Sequence, residues 1–176
     1  MLEIRPETTS DAAAVRAVND AAFGRADEGR IADALRAQHA KYFGLVAVDD
    51  DAIVGHIVFS PATLHCYSAL FPIMALGPMA VSPAWQRRGI GSALVREGLA
   101  ACARRGHDVV VVLGHSEFYP RFGFVPARPL GVMSEWDVPD DVFMVAELAP
   151  GALRGRRGVV YYAPEFAGAT RISAPE

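Results

Sequence analysis

Residues 86–94 read Gln86-Arg87-Arg88-Gly89-Ile90-Gly91-Ser92-Ala93-Leu94, two arginines and two glycines at the start of a helical pattern. Glycine weakens a helix by about 1 kcal/mol against alanine, so two of them there call for a reason. Anion binding supplies one. A helix N-terminus presents unpaired N–H groups and a partial positive charge, and it is a ready site for phosphate. Gly89 and Gly91 carry no side chain to keep a bulky anion from the backbone. Arg87 and Arg88 add charge and donors, and Ser92 adds a hydroxyl. The same residues would also serve as an arginine-rich turn that caps a helix and binds nothing. Neither common phosphate fingerprint fits. GxxxxGK[ST] lacks its lysine here, and GxGxxG fails at Leu94.

The elements around this turn follow from periodicity. Residues 2–6 alternate and stop at Pro6, a short strand. Ser10-Asp11 begins a helix with Ala14, Val15, Val18, Ala21 and Ala22 as its stripe. Arg25 to Gln38 is a second helix, with Ile31, Ala34 and Leu35 on one face. Leu45–Val48 and Ile53–Phe59 are β-rich runs hinged at Asp49-Asp50-Asp51. Residues 73–83 form a third apolar run that ends at Pro83. Ile90 to Arg105 is the strongest helix, with Ile90, Leu94, Val95, Leu99 and Cys102 on one broad face. The continuous run 108–114 suits a strand buried on both faces. SEFYPRFGF then predicts a turn or short helix entering a strand at Phe122–Val125. Residues 142–148 and 158–164 are two further strands. The order predicts one α/β or α+β domain over residues 1–176, with a parallel strand–helix–strand unit around the arginine turn.

Two motifs in this unit carry a family resemblance. Gln86-Arg87-Arg88-Gly89-Ile90-Gly91 resembles the [Q/R]xxGx[G/A] loop of the GNAT superfamily of N-acetyltransferases. FYPRFGF (118–124) resembles the FYxxxGF segment of that family. The stretch from LGPMAVSPAWQRRGIGSALV to VVVLGHSEFYPRFGFVPA is similar to the YhbS-like subgroup. The resemblance spans residues 2–127 in layout and is specific over 76–127. It implies a mixed, mostly antiparallel sheet flanked by helices, with acetyl-CoA at the parallel unit. Met79, Ala80 and Val81 would pair their backbone with the pantetheine arm. Gln86 through Ala93 would hold the pyrophosphate, and Gly114 and Phe122 would border it. Tyr119 would be the general acid for the departing thiolate; by itself it reads equally as an aromatic packed between Phe118 and Pro120. Residues 128–176 would complete the sheet and border the acceptor pocket.

The reaction implied is acetyl transfer to a primary amine, of a small molecule or a peptide. The alternative is a module that binds acetyl-CoA or CoA without transfer. Acetyl transfer needs a neutral amine, a stabilised oxyanion and a protonated leaving group. The strand before the loop, IMALGPMAV, holds no ionisable residue to act as base. Glu28, His56, His115 and Glu117 are the candidates, and the first three each have a structural reading beside the functional one. Glu28 is equally a solvated helix carboxylate, His56 a half-buried strand residue and His115 a turn cap. No His/Cys/Asp spacing supports a metal site.

Composition sets the outer bounds. With 52% hydrophobic residues the chain of 176 is a folded globule. Its formal net charge of −3 gives no electrostatic reason for nucleic acid or an anionic membrane as partner. Cys66 and Cys102 lack CxxC or zinc spacing and read as small hydrophobes in a reducing compartment. The N-terminus MLEIRPETT has no signal-peptide pattern. A cytoplasmic protein is the expectation, and the resemblance adds a possible homodimer.

Overall fold

The structure, a computed structural model, describes residues 1–168. Nine strands form one sheet: β1 Glu3–Pro6, β2 Phe43–Asp49, β3 Ala52–Cys66, β4 Leu70–Val81, β5 Val109–Leu113, β6 Val125–Pro126, β7 Val132–Ser134, β8 Phe143–Glu147 and β9 Gly158–Tyr161. Three α-helices accompany them: α1 Ala12–Phe23, α2 Asp27–Gln38 and α3 Ile90–Arg104. The main path runs β1-β2-β3-β4-β5-β8-β6, and β9 joins β3 to β7. Pairing is antiparallel except for β4 with β5 and β7 with β9. This is the mixed, mostly antiparallel sheet expected, with α3 as the crossover between β4 and β5.

The predicted strand ending at Phe59 is less than half of the real one. β3 passes through Pro61 and continues to Cys66. β2 covers one edge of β3 only as far as Phe59, and β9 takes up that edge at Thr63. Pro61 lies in the gap between them, where no strand on that side needs its missing N–H. The strand expected at Phe122–Val125 is also corrected. Tyr119–Phe122 is a 3-10 turn, and pairing with β8 begins only at Val125. Gly123, with φ +90°, closes that turn and reverses the chain before it can extend.

β5 explains why its sequence is apolar throughout. Val110 and Val112 pack with α3 residues Leu94, Val95 and Leu99. Val109 and Val111 pack on the opposite face with Val132, Phe143, Val145 and Val160. The C-terminal third thus covers β5 on the face that α3 leaves bare. On its own face α3 packs close. A Cβ at Gly98 would fall 2.3 Å from Cε2 of Phe59, so glycine here sets the distance between helix and sheet. No helix among the described residues is long and apolar enough to cross a membrane.

Candidate functional site

β4 and β5 pair only at Met74–Leu76 against Val110–Val112. Beyond that point β4 runs on to Val81 with β3 alone as partner, while β5 stays with β8. The sheet therefore splits, and the β4 edge from Gly77 onward has no strand beside it. A bulge helps to open the split. Ile57 pairs with Met79 and Phe59 with Leu76, so Val58 faces both Gly77 and Pro78. Gly77 has φ +134°, a conformation that favours glycine.

At the end of β4 the chain makes one 3-10 turn, Pro83–Trp85, and enters α3. Gln86 Nε2 donates to the Val81 carbonyl at 3.1 Å, tying the loop back to the strand. Arg87 has φ +60°, costly for a side chain of its size. Gly89 is the residue before the helix, with φ +82°, and no side chain caps the first turn. The leading N–H groups of α3 are left without a side-chain cap, facing the open strand edge. This is the local geometry expected from the glycines, an uncapped helix N-terminus of the kind that suits an anion.

The split opens into a cavity of about 790 Å³. Met79, Ala80, Val81, Gln86, Arg87, Gly89, Ile90, Gly91, Ser92 and Gly114 all line it, as do Tyr119, Glu28 and His115. Tyr119 stands T-shaped to Phe118 and Phe124. Gly114 makes room for it, since a Cβ there would sit 2.3 Å from the Tyr119 ring. Burial pushes the Tyr119 phenol well above its ordinary range, so it stays protonated. His115 is exposed, and its carbonyl accepts from Phe118 N at 3.1 Å, beginning the turn that carries Tyr119.

Other residues singled out in the sequence lie off the cavity lining. Arg88 turns over the Trp85 ring, 4.8 Å from its centroid. Ala93 is one turn into α3, its N–H bound to the Gly89 carbonyl. Phe122 packs on Phe118 and under Arg96. His56 is fully buried in a separate polar network. Its Nδ1 accepts from Asn19 Nδ2 at 3.1 Å, so Nε2 carries the hydrogen and donates to Glu7 at 3.2 Å. Glu7 also accepts from Tyr42 at 2.7 Å and from Arg36 Nε at 2.7 Å. Because β3 is covered by α1, the even-numbered side of the strand at His56 faces helices rather than the cavity.

That network joins α1, α2 and β3 with Glu7, just after β1, and Tyr42, just before β2. Burial alone would raise the Glu7 pKa, but His56, Tyr42 and Arg36 together hold it below the ordinary carboxylate value. A depressed folded-state pKa stabilises the fold above the unfolded value and is lost as pH falls through the folded one. Glu7→Gln is therefore expected to cost on the order of 2 kcal/mol near neutral pH and to lose less stability on acidification below about pH 4. Urea unfolding midpoints at the two pH values check this; equal acid sensitivity in both chains would remove Glu7 from the account.

The sequence placed residues 128–176 beside the acceptor pocket but, Glu28 apart, singled out no residue of the far wall. Phe23 ends α1, Arg25 follows it, Ile31 lies on α2, and Tyr162 and Phe166 come from beyond β9. Tyr162 packs tilted against Trp136 with centroids 4.6 Å apart and meets Phe166 edge-on at 5.4 Å. Glu28, in the first turn of α2, accepts from Arg25 Nε at 3.0 Å, and a carboxylate there also suits the helix dipole. No local motif marks these residues, because they meet only across the fold. Among the described residues no cluster of metal-ligating side chains is found.

Comparison with known proteins agrees with this geometry. A family model described as an acetyltransferase (GNAT) domain matches residues 3–127. The uncharacterized N-acetyltransferase YjhQ of Escherichia coli strain K12 is 36% identical over 137 residues, 75% of each chain. The crystal structure of the GNAT family N-acetyltransferase YhbS from Escherichia coli in complex with CoA superposes with a TM-score of 0.89 at 30% identity, over 98% of this chain and 94% of that one. A GNAT family acetyltransferase from Brucella melitensis in complex with acetyl-CoA is similar at TM-score 0.78 and 36% identity, over 94% and 98% of the two chains.

Proposed function

Because this chain belongs to the GNAT acetyltransferase family, we propose that its cavity holds acetyl-CoA beside a primary amine and passes the acetyl group directly between them. The observation that carries this is one cavity lined by an uncapped helix N-terminus, an unpaired strand edge and a buried tyrosine. The α3 N–H groups and Arg87 bind the pyrophosphate. The free backbone edge at Met79–Val81 holds the pantetheine arm, and an N–H near Val81 polarises the thioester carbonyl. The amine nitrogen attacks that carbonyl carbon; the N–C bond forms and the C–S bond breaks. Tyr119 gives its proton to the departing sulfur. The proton lost by the amine replaces the one Tyr119 gave, relayed past His115, the exposed imidazole on the cavity wall, and so returns the phenol and the site to their starting charge.

Residues 1–176 are read as a single transferase domain, supported by the pairing of β8 with β5 and of β9 with β3. The unpaired Cys66 and Cys102 suit the cytoplasm as its compartment. Thermal unfolding with acetyl-CoA, CoA and NAD tests the proposal. At a hundredfold excess over its dissociation constant a specific ligand adds about 2.7 kcal/mol, a rise of roughly 5–10 °C for a chain of this size. Acetyl-CoA and CoA are expected to give that rise and NAD none. No rise with acetyl-CoA would overturn the assignment.

A further inference from the structure

The acceptor end of the cavity has a composition of its own. Phe23, Ile31, Tyr162 and Phe166 line it together with Pro78 and Met79. Three of these six are aromatic. The one carboxylate among the lining residues is Glu28, and it is already bound by the Arg25 guanidinium through two nitrogens. The remaining charged lining residues, Arg87 and Arg121, are cationic. Among the described residues, then, no carboxylate in this cavity is free to receive a second ammonium group. Burying an unpaired charge against such a wall is costly, whereas aromatic faces give an apolar body its area and a preferred stacking geometry.

Resting on the acetyl-transfer reading above, we infer that the acceptor is a monoamine carried on an uncharged aromatic or bulky apolar body, and that the closed Arg25–Glu28 pair rejects polyamines and amino-acid carboxylates alike. Glu28 would attract a second ammonium if it were free. Arg25 would attract a substrate carboxylate if it were free. Held together, they present no net charge to either. The apolar body lies against Phe23, Tyr162 and Phe166, and its single amine, the only ionisable group, is directed as the neutral base at the thioester beside Met79–Val81.

The test uses the full chain saturated with CoA, titrated calorimetrically with 2-phenylethylamine, spermidine and L-phenylalanine. Thiol release from acetyl-CoA is followed with the same three amines. 2-Phenylethylamine is expected to bind roughly tenfold or more tighter than either competitor, the range a hydrophobic pocket discriminates. Arg25→Gln, at an exposed position, frees Glu28 and is expected to raise spermidine affinity by about tenfold. Phe23→Ser, on the half-exposed end of α1, is expected to weaken 2-phenylethylamine and leave spermidine unchanged. Tighter binding of spermidine or L-phenylalanine by the wild-type chain, or three affinities that do not differ, would overturn the inference. The two proposals fail separately. Binding of 2-phenylethylamine without thiol release would defeat acetyl transfer and keep the ligand class. Thiol release with spermidine alone would keep the transfer and defeat the class.

Discussion

Tyr119→Phe is expected to cut turnover by roughly 10²–10⁴-fold while acetyl-CoA affinity stays where it is. The substitution removes one oxygen and little else. The ring is seated by Gly114, Phe118 and Phe124, contacts that phenylalanine keeps. Burial holds the wild-type phenol protonated, so its hydroxyl has a proton to give when the sulfur leaves. Without it the thiolate must depart uncompensated into an apolar site, where an unpaired charge is poorly tolerated. Steady-state thiol release gives the turnover, and the acetyl-CoA-induced rise in unfolding temperature reports the affinity. Wild-type turnover in the variant would remove Tyr119 as the acid. A parallel loss of affinity would instead make it a residue that positions the cofactor.

The second large effect is at the phosphate loop. Gly91→Glu is expected to weaken acetyl-CoA by roughly a hundredfold or more. A Cβ at Gly91 would meet Met79, Phe118 and Val81 at 3.7 Å, ordinary contact distance, so the backbone accepts a side chain. The position is in the first turn of α3, where an acidic residue stabilises a helix by about 0.3–1 kcal/mol. The free protein should therefore melt at or slightly above the wild-type temperature. The carboxylate, however, stands where the pyrophosphate is to sit. Two unit charges 4 Å apart near a protein surface repel by about 4 kcal/mol. Calorimetric titration of both chains with acetyl-CoA measures the difference. Undiminished affinity in a folded variant would show that the anion lies elsewhere.

Arg88 and His56 illustrate how sequence position and site position diverge. Arg88 adjoins Arg87 in the loop, yet Arg87 adopts a left-handed turn and sends its neighbour over Trp85. His56 sits on β3 opposite Ala80, a residue that does line the cavity. Its imidazole is nevertheless buried with Asn19 and Glu7. Glu7, Tyr42 and Arg36 carried no visible pattern, because charge buried by tertiary contact looks in sequence like charge on a surface.

By itself the sequence determined what is local. The α3 N-terminus, its glycines and arginines, and Tyr119 fall within 34 consecutive residues, 86–119. Their roles depend on backbone conformation and short-range order, which residue type controls directly. The apolar run of β5 likewise declared a strand covered on both faces. Only the tertiary structure decided which elements do the covering and what the acceptor meets. Tyr162 and Phe166 reach the cavity because β9 adds to the far half of β3, a pairing across about a hundred residues with no short motif to announce it. The aromatic wall is a product of that assembly, whereas the Arg25–Glu28 pair closes locally, three residues apart. On the acetyl-transfer reading, the cofactor loop lies in a continuous segment, whereas the acceptor wall is set by the distances between segments.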